Sequence, residues 1–364
     1  MAVAPGTYVS AGVDTDTADV ALGGILRQLA PTLAYRQGIG RVQLENGFFA
    51  NVIDVGAGTG IAISTDGVGS KVLIAQELEK FDTIGIDCVA MNVNDVLCVG
   101  AEPLALVDYV AVDVASPHIL EQIAVGLARG AELARISIPG GEIAQLPEII
   151  RGVAPGRGFD LVGTCIGIVP LERLLIGTRV EDGDVIVGLK STGIHSNGLT
   201  LARKVLFEHG GFTPRSNHKA LTSSVGETLL EPTQIYVQPI LDMLAAGLDA
   251  KALVHITSDG LLNLTRISSA ASFYIDYLPE PHPIFTLIQE VGQISDSEML
   301  CTFNMGVGFC VVLAKQDVER AQEIAGAYGI DTYVLGHAVL DGGGKRVVVR
   351  PRGLVGAGKR FTPA

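Results

Sequence analysis

Between residues 60 and 100 the chain changes its hydrophobic period, and that change limits what it can fold into. The run Gly60-Ile61-Ala62-Ile63-Ser64 is short and apolar and reads as a buried strand. A turn follows, Thr65-Asp66-Gly67-Val68-Gly69-Ser70-Lys71, with two glycines, an acid and a lysine. Ile86, Val89, Ala90, Val93 and Leu97 then recur at helical spacing, which predicts a helix with one apolar face. A second face carries Asp87, Met91, Asn94 and Cys98, with Asp95 beside Asn94. Acids buried unpaired in so apolar a stretch cost on the order of several kcal/mol. A hard cation held by Asp66 and Asp95, with phosphate on the open glycine N–H groups, would neutralise them. The plainer alternatives are an Asp66 that bonds its own turn and an Asp95 satisfied within a buried helix.

The rest of the chain alternates between the two periods. Strands are expected over residues 51–55, 103–114, 136–139, 159–169, 184–189, 309–313, 333–340 and 346–350. Residues 51–55 and 60–64 read as one hairpin, and the last two strands as a closing hairpin around Gly342-Gly343-Gly344. Helices are expected over 17–34, 119–134, 198–207, 232–246 and 316–328, with Asp14 and Asp16 as cap and first-turn acids of the first. The class is α+β. The pattern restarts near residues 170–180, which divides 364 residues into an N-terminal domain, 1–170, and a C-terminal domain, 171–364.

Charge narrows the partners. A net charge of −13 argues against non-specific nucleic-acid binding. An anionic substrate must then be met by a few local cations, a metal or helix N-termini. Apolar runs are broken before they reach about 18 residues, so no membrane span is expected. Residues 1–5 lack a basic leader with an apolar core, so no secretory signal is expected. Five cysteines without a Cys-x-x-Cys pair suit a reducing compartment, the cytoplasm.

Several smaller candidates remain. In Gly140-Gly141-Glu142, at an expected strand end, the glycines would let a ligand reach the backbone and Glu142 could reach a cation; a turn with a solvated acid is the alternative. His195-Ser196-Asn197-Gly198 opens an expected helix, where Ser196 or Asn197 caps and free N–H groups suit a phosphate. His195 there could donate a proton. Lys71 could face a phosphate or be solvated, and Asp259 reads as a helix-start acid or a further site residue.

These stretches run in a recognisable order. Ala11-Gly-Val-Asp14, Thr65-Asp-Gly-Val-Gly-Ser-Lys71, Asp82-Thr-Ile-Gly-Ile-Asp87, Val93-Asn-Asp95, Gly100-Ala-Glu-Pro103, Gly140-Gly-Glu142, His195-Ser-Asn-Gly198 and Thr302-Phe-Asn-Met-Gly-Val-Gly308 resemble the phosphoribosylformylglycinamidine cyclo-ligase (aminoimidazole ribonucleotide synthetase) family over nearly the whole chain. The resemblance implies two α+β domains and a homodimer whose N-terminal sheets join as a barrel. It implies ATP-dependent ring closure of a phosphorylated small molecule with Mg2+. Asp66, Asp95 and Glu142 would surround the metal. Thr65, Gly67, Gly69, Lys71, Asn94, Gly140 and Gly141 would line the nucleotide, and His195 would act on a substrate held by Ser196, Asn197 and Gly198. Ile143-Ala144-Gln145 stand where the family usually has Thr then Ala-Glu, Glu45-Asn-Gly-Phe-Phe-Ala50 replaces a glycine-rich loop, and Ser258-Asp259-Gly260 is closer to the kinase branch. A small-molecule kinase or amide-activating synthetase of the same superfamily, or a non-catalytic dimeric homologue, are the rival readings.

Overall fold

The computed structural model describes residue 7, residues 10–12 and residues 15–364, the side chains of residues 15 and 16 excepted. The expected roles of Asp14 and of the Asp16 side chain lie outside the described residues. A first helix, α1 (Thr15–Leu29), continues as a 3-10 turn over Ala30–Ala34.

The first sheet has five strands: β1 (Asn51–Gly56), β2 (Thr59–Gly67), β3 (Glu102–Val112), β4 (Ser137–Gln145) and β5 (Phe159–Pro170), in the order β1-β2-β5-β3-β4. Along β5, Phe159, Leu161, Cys165 and Val169 are buried while Ile166 and Ile168 stand exposed on the other face, the period-two signature of a strand with two unlike faces. The buried face packs against α3 (Ile84–Leu97), and α4 (Pro117–Ala134) packs against α3. That helix pair touches backbone to backbone. A Cβ on Gly85 would lie 2.1 Å from the Leu127 nitrogen, and one on Gly126 would lie 2.7 Å from the Asp82 carbonyl oxygen. Only glycine permits this approach, which fixes where α3 presents its acids.

The hairpin of β1 and β2 is as the sequence predicts, but β2 runs on through Thr65, Asp66 and Gly67 because β5 pairs with it as far as Val162. Only Val68–Ser70 remain as the turn, and a short helix α2 (Lys71–Leu78) follows that the pattern did not announce. Gly140 and Gly141 lie inside β4, not at a strand end. They pair with Val107 and Asp108 in a parallel ladder, at the sheet edge where glycine in a strand is tolerated.

The second sheet holds β6 (Val185–Lys190), β7 (Ala250–His255), β8 (Ser272–Ile275), β9 (Val307–Leu313), β10 (Thr332–Val339), β11 (Val347–Val349), β12 (Leu354–Ala357) and β13 (Arg360–Pro363), in the order β13-β12-β11-β8-β10-β6-β9-β7. Every residue of β7 and β9 is buried. Helices α5 (Leu199–Arg203), α6 (Val225–Leu229), α7 (Val237–Ala245), α8 (Pro283–Gly292), α9 (Asp296–Thr302) and α10 (Val318–Ala327) complete it. Two expectations fail here. β10 and β11 do not form a hairpin: β8 lies between them, antiparallel to β10 and parallel to β11. The helix expected from residue 232 begins only at Val237, because residues 233–236 spend their backbone groups on side chains of α3.

The other face of the first sheet exposes Val55, Leu104, Val107, Tyr109, Ile166 and Ile168. Among the described residues no helix is long and apolar enough to cross a membrane. All five cysteines are free, and four of them are buried.

Candidate active site

Asp66 and Asp95 come together as the sequence suggests, one from the end of β2 and one from the last turn of α3. Burial, and then the charge of Asp95, raise the Asp66 carboxyl from its usual 3.8 to about 6. The Gly67 N–H, which donates to Asp66 Oδ1 at 2.7 Å, pulls the other way. Asn92, one helical turn before Asp95, donates to the Asp66 carbonyl oxygen at 3.1 Å and ties β2 to α3. Asp95 keeps 15% of its side chain exposed, and its Oδ1 lies 2.8 Å from Nδ1 of the wholly buried His255, at the end of β7. The pair of acids therefore sits where the two sheets' domains meet.

Lys71 departs from expectation. It is wholly buried, and its ammonium donates to Asp87 Oδ1 at 2.9 Å and to the Glu231 carbonyl at 2.6 Å. Burial pushes its pKa down while Asp87 pushes it up. Held this way, it offers no charge to a phosphate in the adjoining turn. Asp87 Oδ1 also accepts from the Thr233 N–H at 2.8 Å and hydroxyl at 2.6 Å. The group is a buried clasp between domains.

Asn94 is likewise a strut, not a nucleotide contact. It is buried, its Nδ2 donates to the Gln234 carbonyl at 2.9 Å, and its Oδ1 accepts from the Tyr236 N–H at 3.0 Å. His195 is buried too, at 1% exposure, with a left-handed backbone, φ +60°. Its Nε2 accepts from the backbone N–H groups of Thr192 and Gln234 at 3.3 and 3.4 Å, and burial holds the ring well below the usual histidine range. A neutral ring whose lone pair is already used inside the protein is not placed as a proton donor. Part of Thr302–Gly308 explains its seat: a Cβ on Gly308 would lie 2.5 Å from His195 Cε1 and 2.1 Å from the Tyr236 hydroxyl. That glycine makes room for two core rings.

The polar turns do meet. Ser70, ending the Gly67–Gly69 turn, shares a 2.9 Å hydrogen bond with Thr200 of α5, and Ser196 one of 3.3 Å with Thr233. Gly198 caps α5 in a left-handed conformation (φ +75°), so neither Ser196 nor Asn197 is the cap; both are half-buried. Thr65 points away from Asp66: its hydroxyl donates to the Gly163 carbonyl at 2.9 Å on the sheet's other face. Glu142 is exposed on the edge strand β4, and no group of three or more metal-ligating side chains forms among the described residues. The three-acid centre is thus not assembled within one chain. Two repelling carboxylates nevertheless fit Mg2+, which takes one or two protein carboxylates and draws its other ligands from water and substrate phosphate.

Thr233 and His255 were not singled out by the motifs, and Asp87, which one motif contains, was given no role. The signal for His255 was present: Ala252-Leu253-Val254-His255-Ile256 is an apolar run holding one titratable side chain, which needs a buried partner.

A family model described as AIR synthase related protein, N-terminal domain, matches residues 49–169, and its C-terminal counterpart matches 181–349. A protein of Methanothermobacter thermautotrophicus named phosphoribosylformylglycinamidine cyclo-ligase is 46% identical over 320 residues, 88% of this chain and 91% of the relative. One of the same name from Methanocaldococcus jannaschii is 44% identical over 345 residues, 94% and 95% of the two chains. Among solved structures, AaThiL complexed with AMPPCP and TMP shares the fold at a TM-score of 0.61 and 14% identity, covering 89% of this chain and 92% of that one.

Proposed function

The chain belongs to the phosphoribosylformylglycinamidine cyclo-ligase family, and from that premise we propose how its residues serve the reaction. The activity is ATP-dependent cyclisation of formylglycinamidine ribonucleotide to aminoimidazole ribonucleotide, a step of purine biosynthesis. ATP phosphorylates the formamide oxygen, the neighbouring nitrogen attacks the activated carbon, and the oxygen leaves with phosphate. Such chemistry asks a protein mainly for positioning and charge neutralisation.

Asp66 and Asp95 hold Mg2+, whose part is to offset charge on the transferred phosphate. The single observation that carries this reading is the meeting of these two largely buried acids, from the end of β2 and the last turn of α3, where burial and then the charge of Asp95 lift Asp66 to about 6. A protein keeps like charges together where a cation is to be bound. The N–H groups of Gly67 and Gly69 cradle phosphate oxygens, while Ser196, Asn197 and Gly198, on the turn that Ser70 touches through Thr200, hold the phosphorylated substrate. His195, Lys71 and Asn94 hold the domains in register and do no chemistry.

The exposed apolar face of the first sheet, with Tyr109 and Ile166 at its centre, closes against a second copy. In that homodimer Gly140, Gly141 and Glu142 on edge strand β4 lie at the subunit boundary, where Glu142 is offered to the neighbouring subunit's acids. The five free cysteines suit a reducing compartment and support a cytoplasmic location. ADP release measured with each candidate substrate, with mass detection of product, tests the assignment. Ring product formed with one ADP per turnover supports it, and phosphorylated but uncyclised substrate points to the kinase branch instead.

A further inference from the structure

Asp95 is partly exposed, and it has one side-chain partner among the described residues. That partner comes from the other domain. His255 ends β7, wholly buried, and its Nδ1 lies 2.8 Å from Asp95 Oδ1. A carboxylate accepts, so Nδ1 carries the proton. Nε2 is buried without a partner, so the contact with Asp95 is the hydrogen bond that the ring makes.

The ring has little freedom to leave this pose. The His255 backbone N–H donates to Cys98 Sγ, on the turn that ends α3, at 3.2 Å. Phe309 of β9 packs against the imidazole, with ring centroids 6.2 Å apart and planes inclined by 31°. Every residue of β7 is buried, so the strand end cannot shift without disturbing the core. Asp95 is different: it projects from a helix end at the domain junction and faces a second acid. Repulsion from Asp66 alone would turn it toward solvent, away from any cation held between the two.

We propose that His255 is the positioning residue of the metal pair. Its Nδ1–H holds Asp95 Oδ1 across the domain junction, so that Oδ2 and Asp66 face one cation. This rests on the reading of Asp66 and Asp95 as Mg2+ ligands. It adds that the second domain, through one hydrogen bond, sets the affinity of a site built by the first. Removing the outer partner of a metal ligand weakens binding by about 10- to 100-fold.

The test is Mn2+ binding to the full-length protein, titrated with Mn2+ alone and with Mn2+ plus ATP. His255→Asn puts an amide N–H where Nδ1 stood, whereas His255→Gln places its amide beyond that point and His255→Phe fills the space with no donor. The expected order is wild type and His255→Asn within about threefold of each other, with His255→Gln and His255→Phe weaker by about 10- to 100-fold. A merely structural role would move Asn and Gln together. Equal affinities for Asn and Gln, or wild-type affinity in a folded His255→Phe, overturn the proposal. Asp66→Asn separates the two claims. If it abolishes Mn2+ binding while His255→Gln does not weaken it, the positioning role alone fails. If it leaves binding at the wild-type level, the metal reading fails and the positioning role with it.

Discussion

Lys71→Met should destabilise the protein without touching its surface. The side chain is wholly buried and keeps its volume in methionine, so the change isolates the loss of charge. Asp87, equally buried, would then keep the Thr233 N–H and hydroxyl but no counter-charge. Breaking a buried pair in this way costs about 3–5 kcal/mol. The two remaining hydrogen bonds place this case near 3. For 364 residues the entropy of unfolding turns that into a fall in Tm of about 4 °C. The second variant decides the mechanism. In Lys71→Met/Asp87→Asn the site is neutral while Thr233 keeps its acceptor, so the double variant should recover most of the loss. The expected coupling is about 2–3 kcal/mol, measured by thermal and urea unfolding of the four proteins. Additive losses, or a Lys71→Met Tm unchanged within a degree, would refute the clasp as an electrostatic unit.

Other outcomes follow from the same geometry. For the metal-free protein, the raised Asp66 pKa means that the folded state binds an extra proton between about pH 4 and 6. Its stabilising share is therefore full below the unfolded pKa of 3.8 and lost as pH rises through about 6. Asp66→Asn should match wild type near pH 4 and melt higher at pH 7.5, by at most about 3 kcal/mol, with turnover gone. His195→Ala should lower Tm while ATP affinity and the substrate KM stay within a few-fold; a loss of about 10²-fold in kcat with no loss of Tm would restore His195 as an acid–base group. Gly126→Ala should cost about 1–3 kcal/mol by overpacking against Gly85, read as a lower urea midpoint. Tyr109→Glu, on the exposed sheet face, should convert a dimer to a monomer in sedimentation; a wild-type monomer at micromolar concentration removes that interface.

How legible the molecule was depends on whether the signal is local. Alternation gave β5, which buries one face. The spacing of Ile86, Val89, Val93 and Leu97 gave α3 as a helix, but not its burial: nearly every residue of α3 is buried, and Ile86 of that stripe is one of the two that are not. Asp66 and Asp95 stood out because carboxylates are anomalous in such surroundings. β11 was misplaced because its partner β8 lies more than seventy residues away, and Gly342-Gly343-Gly344 looks locally like a hairpin loop. Lys71 and His195 misled for one reason: a cation or histidine beside glycines resembles a phosphate site, whereas their true partners, Asp87 and the Thr192 and Gln234 amides, are set by the docking of one domain on the other. Glu142 failed as a same-chain ligand because a Gly-Gly pair reads as a turn, yet the parallel ladder with β3 carries it straight along the sheet edge.

The most direct test of the account follows the formyl oxygen. Formylglycinamidine ribonucleotide carrying a heavy-oxygen label at the formyl group is turned over with ATP and Mg2+ by wild type and by folded Asp66→Asn. The account predicts that wild type moves the label into inorganic phosphate, releases one ADP and yields a ring product lighter by one water, and that Asp66→Asn does none of these. Label remaining in the organic product, or label transfer at the wild-type rate by Asp66→Asn, would contradict it.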